Sequence, residues 1–362
     1  MSLPERVIQP RTTDYPFQIG ETPLTGFHVE VNGHQHRLYL KEERFNEFGS
    51  VKDRVAWYIL SRRLEEARTV GHIVDASSGN YGYALSRIGE RLGLRVTIVS
   101  SPSISRYNAQ GIRDAGANLI IAEPEPGESS NAARMRIAGE VANRDGAVFL
   151  DQYRNQDNPA CHRDWTAPEV LAKDEFDACF VAASSGGTAR GFADYLKSHE
   201  LETQLFLVDP FGSCAFVEPD ADCKTKLFIP GYGSGRKSTF ADMPKPADIR
   251  VDEAQVLAAF EFLRSRDLCA IGLSSTGVML GALDWLSTAT GPMSVVCICA
   301  DGSERYDDEL ECRYMSSVSE SAMTAARAIV SEKLSRFAPM EFSPRIAGSS
   351  EATLGFRRAA TD

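Results

Sequence analysis

The sequence predicts an α/β protein with mainly parallel sheets, and three observations predict it. Short apolar runs alternate with longer stretches of helical spacing along most of the chain, the order that gives parallel βαβ units with right-handed crossovers. Glycine- and serine-rich loops follow several of the apolar runs, at the sheet ends where such folds bind ligands. The chain has 362 residues, 43% of them hydrophobic, which suits two lobes with buried sheets.

Taken in order, Leu38-Tyr39-Leu40 is the first apolar run. Helical spacing over 54–68 puts Val55, Tyr58, Ile59 and Leu64 on one side. His72-Ile73-Val74-Asp75 reads as a strand, 83–92 as a helix and Arg95-Val96-Thr97-Ile98-Val99 as the next strand. A helix over 106–115 leads to Asn118-Leu119-Ile120-Ile121, and one over 130–143 to Val148-Phe149-Leu150. The second half repeats the pattern. Cys179-Phe180-Val181-Ala182 is followed by a helix over 188–198, then Leu205-Phe206-Leu207-Val208 as a strand. Helices over 253–266 and 276–287 precede the last strong strand, 294–299. Beyond it, Met323, Ala326, Ile329, Val330 and Leu334 give 317–337 the spacing of a helix packed on the body or on a partner subunit. Gly348-Ser349-Ser350 and Arg357-Arg358-Ala359-Ala360 read as a loose tail.

A formal charge of −11 argues against nucleic acid as the main partner. The eight cysteines form no C-x-x-C motif, and Cys297 and Cys299 alternate with Val296 and Ile298, which reads as strand burial in a reducing compartment. No metal site is expected. Residues 1–20 lack an apolar signal core, and no apolar run reaches the ~18 residues of a membrane span, so cytoplasm is the expected location and no membrane partner is expected.

Three segments carry chemistry. Lys52 lies in Gly49-Ser50-Val51-Lys52-Asp53-Arg54, Asn80 in Ser77-Ser78-Gly79-Asn80-Tyr81-Gly82, and Ser184-Ser185-Gly186-Gly187-Thr188 opens a helix. A lysine after a turn, an Asn in a Ser/Gly loop and a loop able to hold phosphate are the parts of a pyridoxal phosphate (PLP) site. The lysine forms an imine with the aldehyde, and the loop's N–H groups take the phosphate at a helix start. A nucleotide site is the rival, but no G-x-x-x-x-G-K-[ST] is present. The run Gly231-Tyr232-Gly233-Ser234-Gly235 lacks a third dinucleotide glycine at the required place.

In this order and at these separations the segments resemble the cysteine synthase family of fold type II PLP enzymes. That family writes them roughly as G-S-x-K-x-R, T-S-G-N-T-G and G-T-G-G-T. Gln152 before Asn155 and Asn158-Pro159 extends the likeness, which runs from about Glu21-Thr22-Pro23-Leu24 to Ser303-Glu304-Arg305-Tyr306.

The resemblance implies a large PLP-binding lobe (1–50 and 155–316) and a small substrate-carboxylate lobe (51–154). Residues 317–362 would form a C-terminal helix and tail, and the assembly a homodimer. It implies Lys52 as the Schiff-base residue and the base for the substrate α-proton, with Asn80 on the phenolic oxygen of the pyridine ring. It assigns Ser77, Ser78, Gly79 and Tyr81, with Gln152, to the substrate carboxylate. Tyr81 stands where the family usually has Thr, so either its backbone suffices or the pocket suits a different amino acid. Ser184, Ser185, Gly186, Gly187 and Thr188 would cradle the phosphate. Ser303 is expected at the pyridine nitrogen, with Asp301 as the alternative.

The implied reaction is β-replacement on an O-activated L-serine through an α-aminoacrylate. Tyr153, Ser184 and the basic pair Arg236-Lys237 resemble members that use O-phospho-L-serine and an amino acid nucleophile such as L-glutamate, giving 2,3-diaminopropionate-type precursors. Arg134 is a weaker candidate for the same anion. Cysteine synthesis from sulfide with O-acetyl- or O-phospho-L-serine is the alternative. Dehydratase-like β-elimination is a further one, though the Ser-Phe-Lys of those enzymes is absent around Lys52.

Overall fold

The computed structural model describes residues 17–217, 227–243 and 246–340. In chain order the elements are β1 (Leu24–Val31), β2 (His34–Glu42), α1 (Lys52–Arg62), α2 (Leu64–Val70), β3 (His72–Ala76), α3 (Asn80–Leu92), β4 (Arg95–Ser100), α4 (Arg106–Asp114), β5 (Asn118–Ile121), α5 (Ser130–Asp145) and β6 (Val148–Phe149). Then come α6 (Asp157–Cys161), α7 (Ala167–Leu171), β7 (Ala178–Ala182), α8 (Gly187–Ser198), β8 (Gln204–Pro210), β9 (Ala247–Val251), α9 (Glu253–Ser265), α10 (Leu273–Leu286), β10 (Ser294–Cys299), α11 (Glu320–Leu334) and β11 (Phe337–Pro339).

These strands make two sheets. One has seven strands in the order β11-β1-β2-β10-β7-β8-β9, the other four in the order β5-β4-β3-β6. The smaller sheet is parallel throughout. The larger is parallel from β2 to β9, with β1 and β11 antiparallel at its edge. The two-residue periodicity of a strand sorts its side chains between faces. Val295, Cys297 and Cys299 of β10 join the core packed by α9, α10 and α11, while Val296 and Ile298 face the opposite core with Phe192 of α8. In the smaller sheet Ile73 and Ile98 face α1 and α3, and Val74, Ala76 and Val99 face α5. Strands covered on both sides read as continuous apolar runs, which is why the sequence displays them.

Several elements differ from the sequence reading. The helix expected over 54–68 breaks at Arg63, giving α1 and α2. Strands β1, β9 and β11 carry mixed polarity and were not expected. The β1–β2 hairpin turns through Asn32 (φ 53°) and Gly33 (φ 73°), the left-handed pair that matches the twist of flanking strands. The C-terminal helix is α11. It packs Met323, Ala326, Val330 and Leu334 on the body and pairs Arg327 with Glu261 of α9. The tail expected around 348–360 lies outside the described residues.

Cys297 and Cys299 are free and buried as expected, and Cys161 and Cys179 are too, but Cys214, in the loop after β8, is disulfide-bonded, against the expectation of a reducing compartment. The alternating run that foretold burial concerns strand cysteines and says nothing of one in a loop. No helix among the described residues is long and apolar enough to cross a membrane.

One buried ionic cluster fixes the start of α1. Arg54 Nε donates to Glu43 Oε2 at 2.6 Å and Nη1 to Glu169 Oε2 at 2.7 Å, and Lys41 Nζ pairs with Glu169 Oε1. Lys41 and Glu43 are fully buried, Arg54 and Glu169 nearly so. Burial pushes the Glu169 carboxyl up, but Arg54 and Lys41 outweigh it and hold the group at about 2. This cluster joins β2, α1 and α7, and so positions the residue two places before Arg54.

Candidate active site

That residue is Lys52, the first of α1. Its turn is stitched to the carboxyl end of β10: Val51 N–H donates to the Ala300 carbonyl at 2.8 Å, and Ser50 bridges to Asp301. Gly49 adopts φ 84°, and a Cβ there would sit 2.6 Å from Arg305 Nη2, so the turn demands glycine both for conformation and for room. The Lys52 side chain lines a cavity of about 210 Å³. Burial pushes its amine below the usual lysine range, and no carboxylate among the described residues pairs with it.

The smaller sheet supplies a second wall. After β3, Ser77 Oγ accepts from Gly79 N–H at 3.2 Å and Gly82 N–H at 2.8 Å, shaping the loop that enters α3. Ser77, Ser78, Gly79, Asn80 and Tyr81 all line the cavity. Tyr81 does so with its ring buried in the core beneath, 2% exposed, and its hydroxyl beside Asp75. Its contribution to the wall is therefore the backbone. Asp75 accepts from the Ala76 and Gln152 N–H groups, and burial, against those bonds, pushes its carboxyl to about 7. Gln152 and Tyr153 also line the cavity. Gln152 Nε2 donates to the Ala76 carbonyl at 2.8 Å, which ties this turn to the loop of Ser77.

The third wall follows β7. Gly186 has φ 91°, and α8 starts at Gly187, whose missing Cβ leaves room for Asn158 Oδ1. Among the described residues the N–H groups of Ser185, Gly186, Gly187 and Thr188 have no acceptor. Four free donors at a helix start form an anion cup. Thr188 Oγ1 meets His162 Nε2 at 3.2 Å, while His162 Nδ1 meets Thr166 Oγ1 at 3.0 Å. Burial, then the Lys52 and Arg54 charges, keep this imidazole well below its ordinary pKa, hence neutral.

The walls meet at Asn80. Its Nδ2 donates to Asp301 Oδ2 at 2.6 Å and its Oδ1 accepts from Arg305 Nη1 at 3.1 Å. Tyr306 donates its hydroxyl to the same Asp301 carboxylate. The Arg305 guanidinium lies 5.0 Å from the Tyr83 ring centroid and 4.9 Å from that of Tyr107. Burial raises Asp301, opposed by Arg305, Asn80 and Tyr306. One N–H of the Asn80 amide stays free, since an amide carries two and Asp301 takes one.

The structure thus brings together Lys52, Ser77, Ser78, Gly79, Asn80, Tyr81, Gln152, Tyr153, Ser184, Ser185, Gly186 and Thr188. Gly187, Ser303 and Arg236 do not line the cavity. Gly187 sits behind it, at the helix start. Ser303 N–H pairs with the Ala270 carbonyl, where the chain has already turned away. Arg236 is exposed. Ser274, in the first turn of α10, is a serine that does line the cavity. Sequence reasoning missed it, although Ser274-Ser275-Thr276 at a helix start is a visible signal. It also missed Asn108 and Arg313, which come from segments remote in sequence. No group of His, Cys, Asp and Glu among the described residues is arranged to hold a metal ion.

An unpaired amine of lowered pKa, an anion cup at a helix start and a carboxylate-sized loop facing both fit one cofactor, PLP. These features define a PLP enzyme of the α/β class. The chain belongs to the family of pyridoxal-phosphate dependent enzymes, whose signature matches residues 16–301. It is 30% identical over 320 residues to the N-(2-amino-2-carboxyethyl)-L-glutamate synthase of Ralstonia nicotianae, covering 85% of this chain and 94% of that one. The fold is that of cysteine synthase-like fold type II enzymes. The cysteine synthase of Entamoeba histolytica superposes with a TM-score of 0.72 at 25% identity, over 92% of this chain and 98% of that one. An O-ureido-L-serine synthase gives 0.72 at 24% identity, over 86% and 99%.

Proposed function

We propose that this PLP-dependent transferase performs β-replacement on O-phospho-L-serine, joining the three-carbon unit to the nitrogen of an amino acid such as L-glutamate. The observation that carries the reading is the single cavity uniting Lys52, the Ser77–Tyr81 loop and the anion cup. The relative's name supports the choice of acceptor, because it describes a 2-amino-2-carboxyethyl group on L-glutamate. A polar feature of this chain supports it too. Tyr153 lines the cavity, and the buried Arg134 lies over its ring at 5.7 Å with Nη1 unpaired.

When bound, PLP would supply the electron sink that makes the donor's α-proton acidic. The chain's own residues do the rest. Lys52 would hold the aldehyde end of the cofactor, and its free amine would take the α-proton. The C–O bond to phosphate breaks, and the phosphate leaves with the electron pair. The acceptor nitrogen then bonds to the β-carbon and sheds a proton to solvent, and Lys52 returns its proton to the α-carbon. The loop from Ser77 to Tyr81, with Gln152, holds the donor carboxylate through N–H groups. Asn80, with its free N–H, would hold the cofactor by the phenolic oxygen of its ring. Ser185 to Thr188 hold the cofactor phosphate, and neutral His162 orients the Thr188 hydroxyl. Ser274, in place of Ser303, supplies a neutral hydroxyl to the pyridine nitrogen. Such a partner leaves that nitrogen unprotonated, which favours β-chemistry over transamination.

The smaller sheet and its helices act as the substrate lobe and the larger as the cofactor lobe. The enzyme works as a cytoplasmic homodimer. The test is to incubate the holoenzyme with O-phospho-L-serine or O-acetyl-L-serine, each with L-glutamate or sulfide, and to read products by mass spectrometry. The expected product is the amine adduct from O-phospho-L-serine. Rapid cysteine formation without an amine adduct overturns the reading in favour of cysteine synthesis.

A further inference from the structure

At the mouth of the cavity, two groups have no role in the chemistry above. Asn108, on α4, is 8% exposed and lines the cavity. Its amide nitrogen and its backbone N–H both donate to Ser105 Oγ, at 3.0 Å and 3.2 Å, while Oδ1 is buried with no partner. An unmet carbonyl oxygen in a polar cavity costs free energy unless a donor arrives. The position is close to the donor loop: a Cβ on Gly79 would stand 3.4 Å from Asn108 Nδ2.

Arg313 reaches the same mouth from the turn before α11. Its Nη1 donates to Glu309 Oε1 at 3.2 Å and its Nη2 to the Ser103 carbonyl at 2.6 Å. That engages two of its five N–H groups and holds the guanidinium still, with the others free. Of the other basic residues lining the cavity, Lys52 belongs to the chemistry. Arg305 is spent on the Phe48 carbonyl and Asn80. Arg313 is ion-paired with Glu309 as well, but it is partly exposed and keeps N–H groups to offer a substrate, whereas Arg305 is buried between Asn80 and the Phe48 carbonyl. Ser103 and Ser105 complete a polar rim around Arg313.

We infer that Asn108 and Arg313 form the subsite for the second substrate. Asn108 Oδ1 accepts an N–H of the incoming amine, and Arg313 pairs with a carboxylate of the same molecule, so the subsite selects an acidic amino acid. This inference rests on the β-replacement reading and names the residues that choose its acceptor. It also explains why the segment beyond Tyr306 is kept folded over α4, with Glu309 accepting from Arg106 N–H at 2.8 Å.

The experiment compares holoenzyme of the wild type with Asn108→Ala, Arg313→Gln and Arg313→Lys. Loss of a hydrogen bond to a charged group corresponds to roughly a 10- to 100-fold change. Calorimetric titration with L-glutamate, without donor, should show Kd rising by about that factor in Asn108→Ala and Arg313→Gln. The absorption change on adding O-phospho-L-serine alone should keep its amplitude and concentration dependence. The preference for L-glutamate over L-glutamine should collapse in Arg313→Gln and partly return in Arg313→Lys, a ratio that a mere folding defect does not move. Unchanged glutamate affinity and preference in the variants, while the wild type makes the amine adduct, overturns the subsite alone. A wild type that makes cysteine and no amine adduct overturns the β-replacement reading beneath it.

Discussion

Lys41 and Lys52 are eleven positions apart, and burial lowers the pKa of both. Around Lys41 the protein supplies Glu169 and Glu43, and Coulomb attraction opposes the desolvation. Around Lys52 it supplies no carboxylate, only the thiol of Cys161 and a neutral imidazole. The first lysine is a buried ammonium whose work is to hold β2 against α7. The second is an amine whose charge nothing in the fold favours, and such an amine is ready to act as nucleophile and base. Burial alone does not distinguish a structural lysine from a chemical one; the company of carboxylates does.

The sharpest way to break this comparison is to remove each amine in turn. Lys52→Ala should abolish turnover, with a loss of at least about 10²–10⁴-fold, and should lose the visible absorption of the lysine–PLP imine. Urea denaturation should find its stability little changed, because no ion pair is lost. Lys41→Met should do the opposite: bound chromophore and turnover per folded molecule retained, stability reduced. A Lys41→Met variant that folds normally and loses the chromophore would sink the distinction.

Glu169→Gln tests the structural half more closely. Removing one partner of a buried ion pair costs about 3–5 kcal/mol. The pH dependence has a definite sign. Glu169 has a folded-state pKa held down at about 2, below its ordinary value of 4.5. Its contribution is therefore fully present above the ordinary carboxylate range and is lost as pH falls from about 4.5 towards 2. The stability gap between wild type and Glu169→Gln should be constant from neutral pH down to that range and then close. Denaturation midpoints at pH 7, 5 and 3 measure it, and a gap that widens on acidification contradicts the assignment.

The same contrast explains what the sequence made legible. Strands β3, β4, β7, β8 and β10 are covered on both faces, so their runs are continuous and readable. Strand β11 is an edge element, and β1 beside it mixes buried with partly exposed residues. Asn32-Gly33 was nonetheless a readable hairpin signal. The three cavity loops were legible because close backbone approach requires glycine, as at Gly49 and Gly186, and such requirements leave local patterns. Asn108 and Arg313 were not, since what matters for them is which distant segment they face; Ser274, in Ser274-Ser275-Thr276 at the start of α10, left a local signal that went unread. Ser303 was assigned by its neighbourhood to Glu304-Arg305-Tyr306. Ser303 does not line the cavity, its N–H being paired with the Ala270 carbonyl, while Asp301 beside it does and bonds Asn80 and Tyr306.

The smallest effect expected concerns that replacement. If Ser274 bonds the pyridine nitrogen, Ser274→Ala removes one neutral hydrogen bond, worth about 1 kcal/mol, or roughly fivefold in cofactor affinity or rate. It should also shift the absorption maximum of the bound chromophore, because the ring nitrogen loses its partner. Ser303→Ala should do neither, its N–H bond to Ala270 being a backbone contact that survives the substitution. Ser274→Asp sharpens the test. A carboxylate there favours a protonated ring nitrogen and so a stronger electron sink, and slow transamination should appear beside β-replacement, read as the pyridoxamine form of the cofactor together with the keto acid that keeps the donor's phosphate, whereas free pyruvate with ammonia would report β-elimination instead. If Ser303→Ala moves the spectrum and Ser274→Ala leaves it in place, the assignment of the ring nitrogen's partner to Ser274 is wrong.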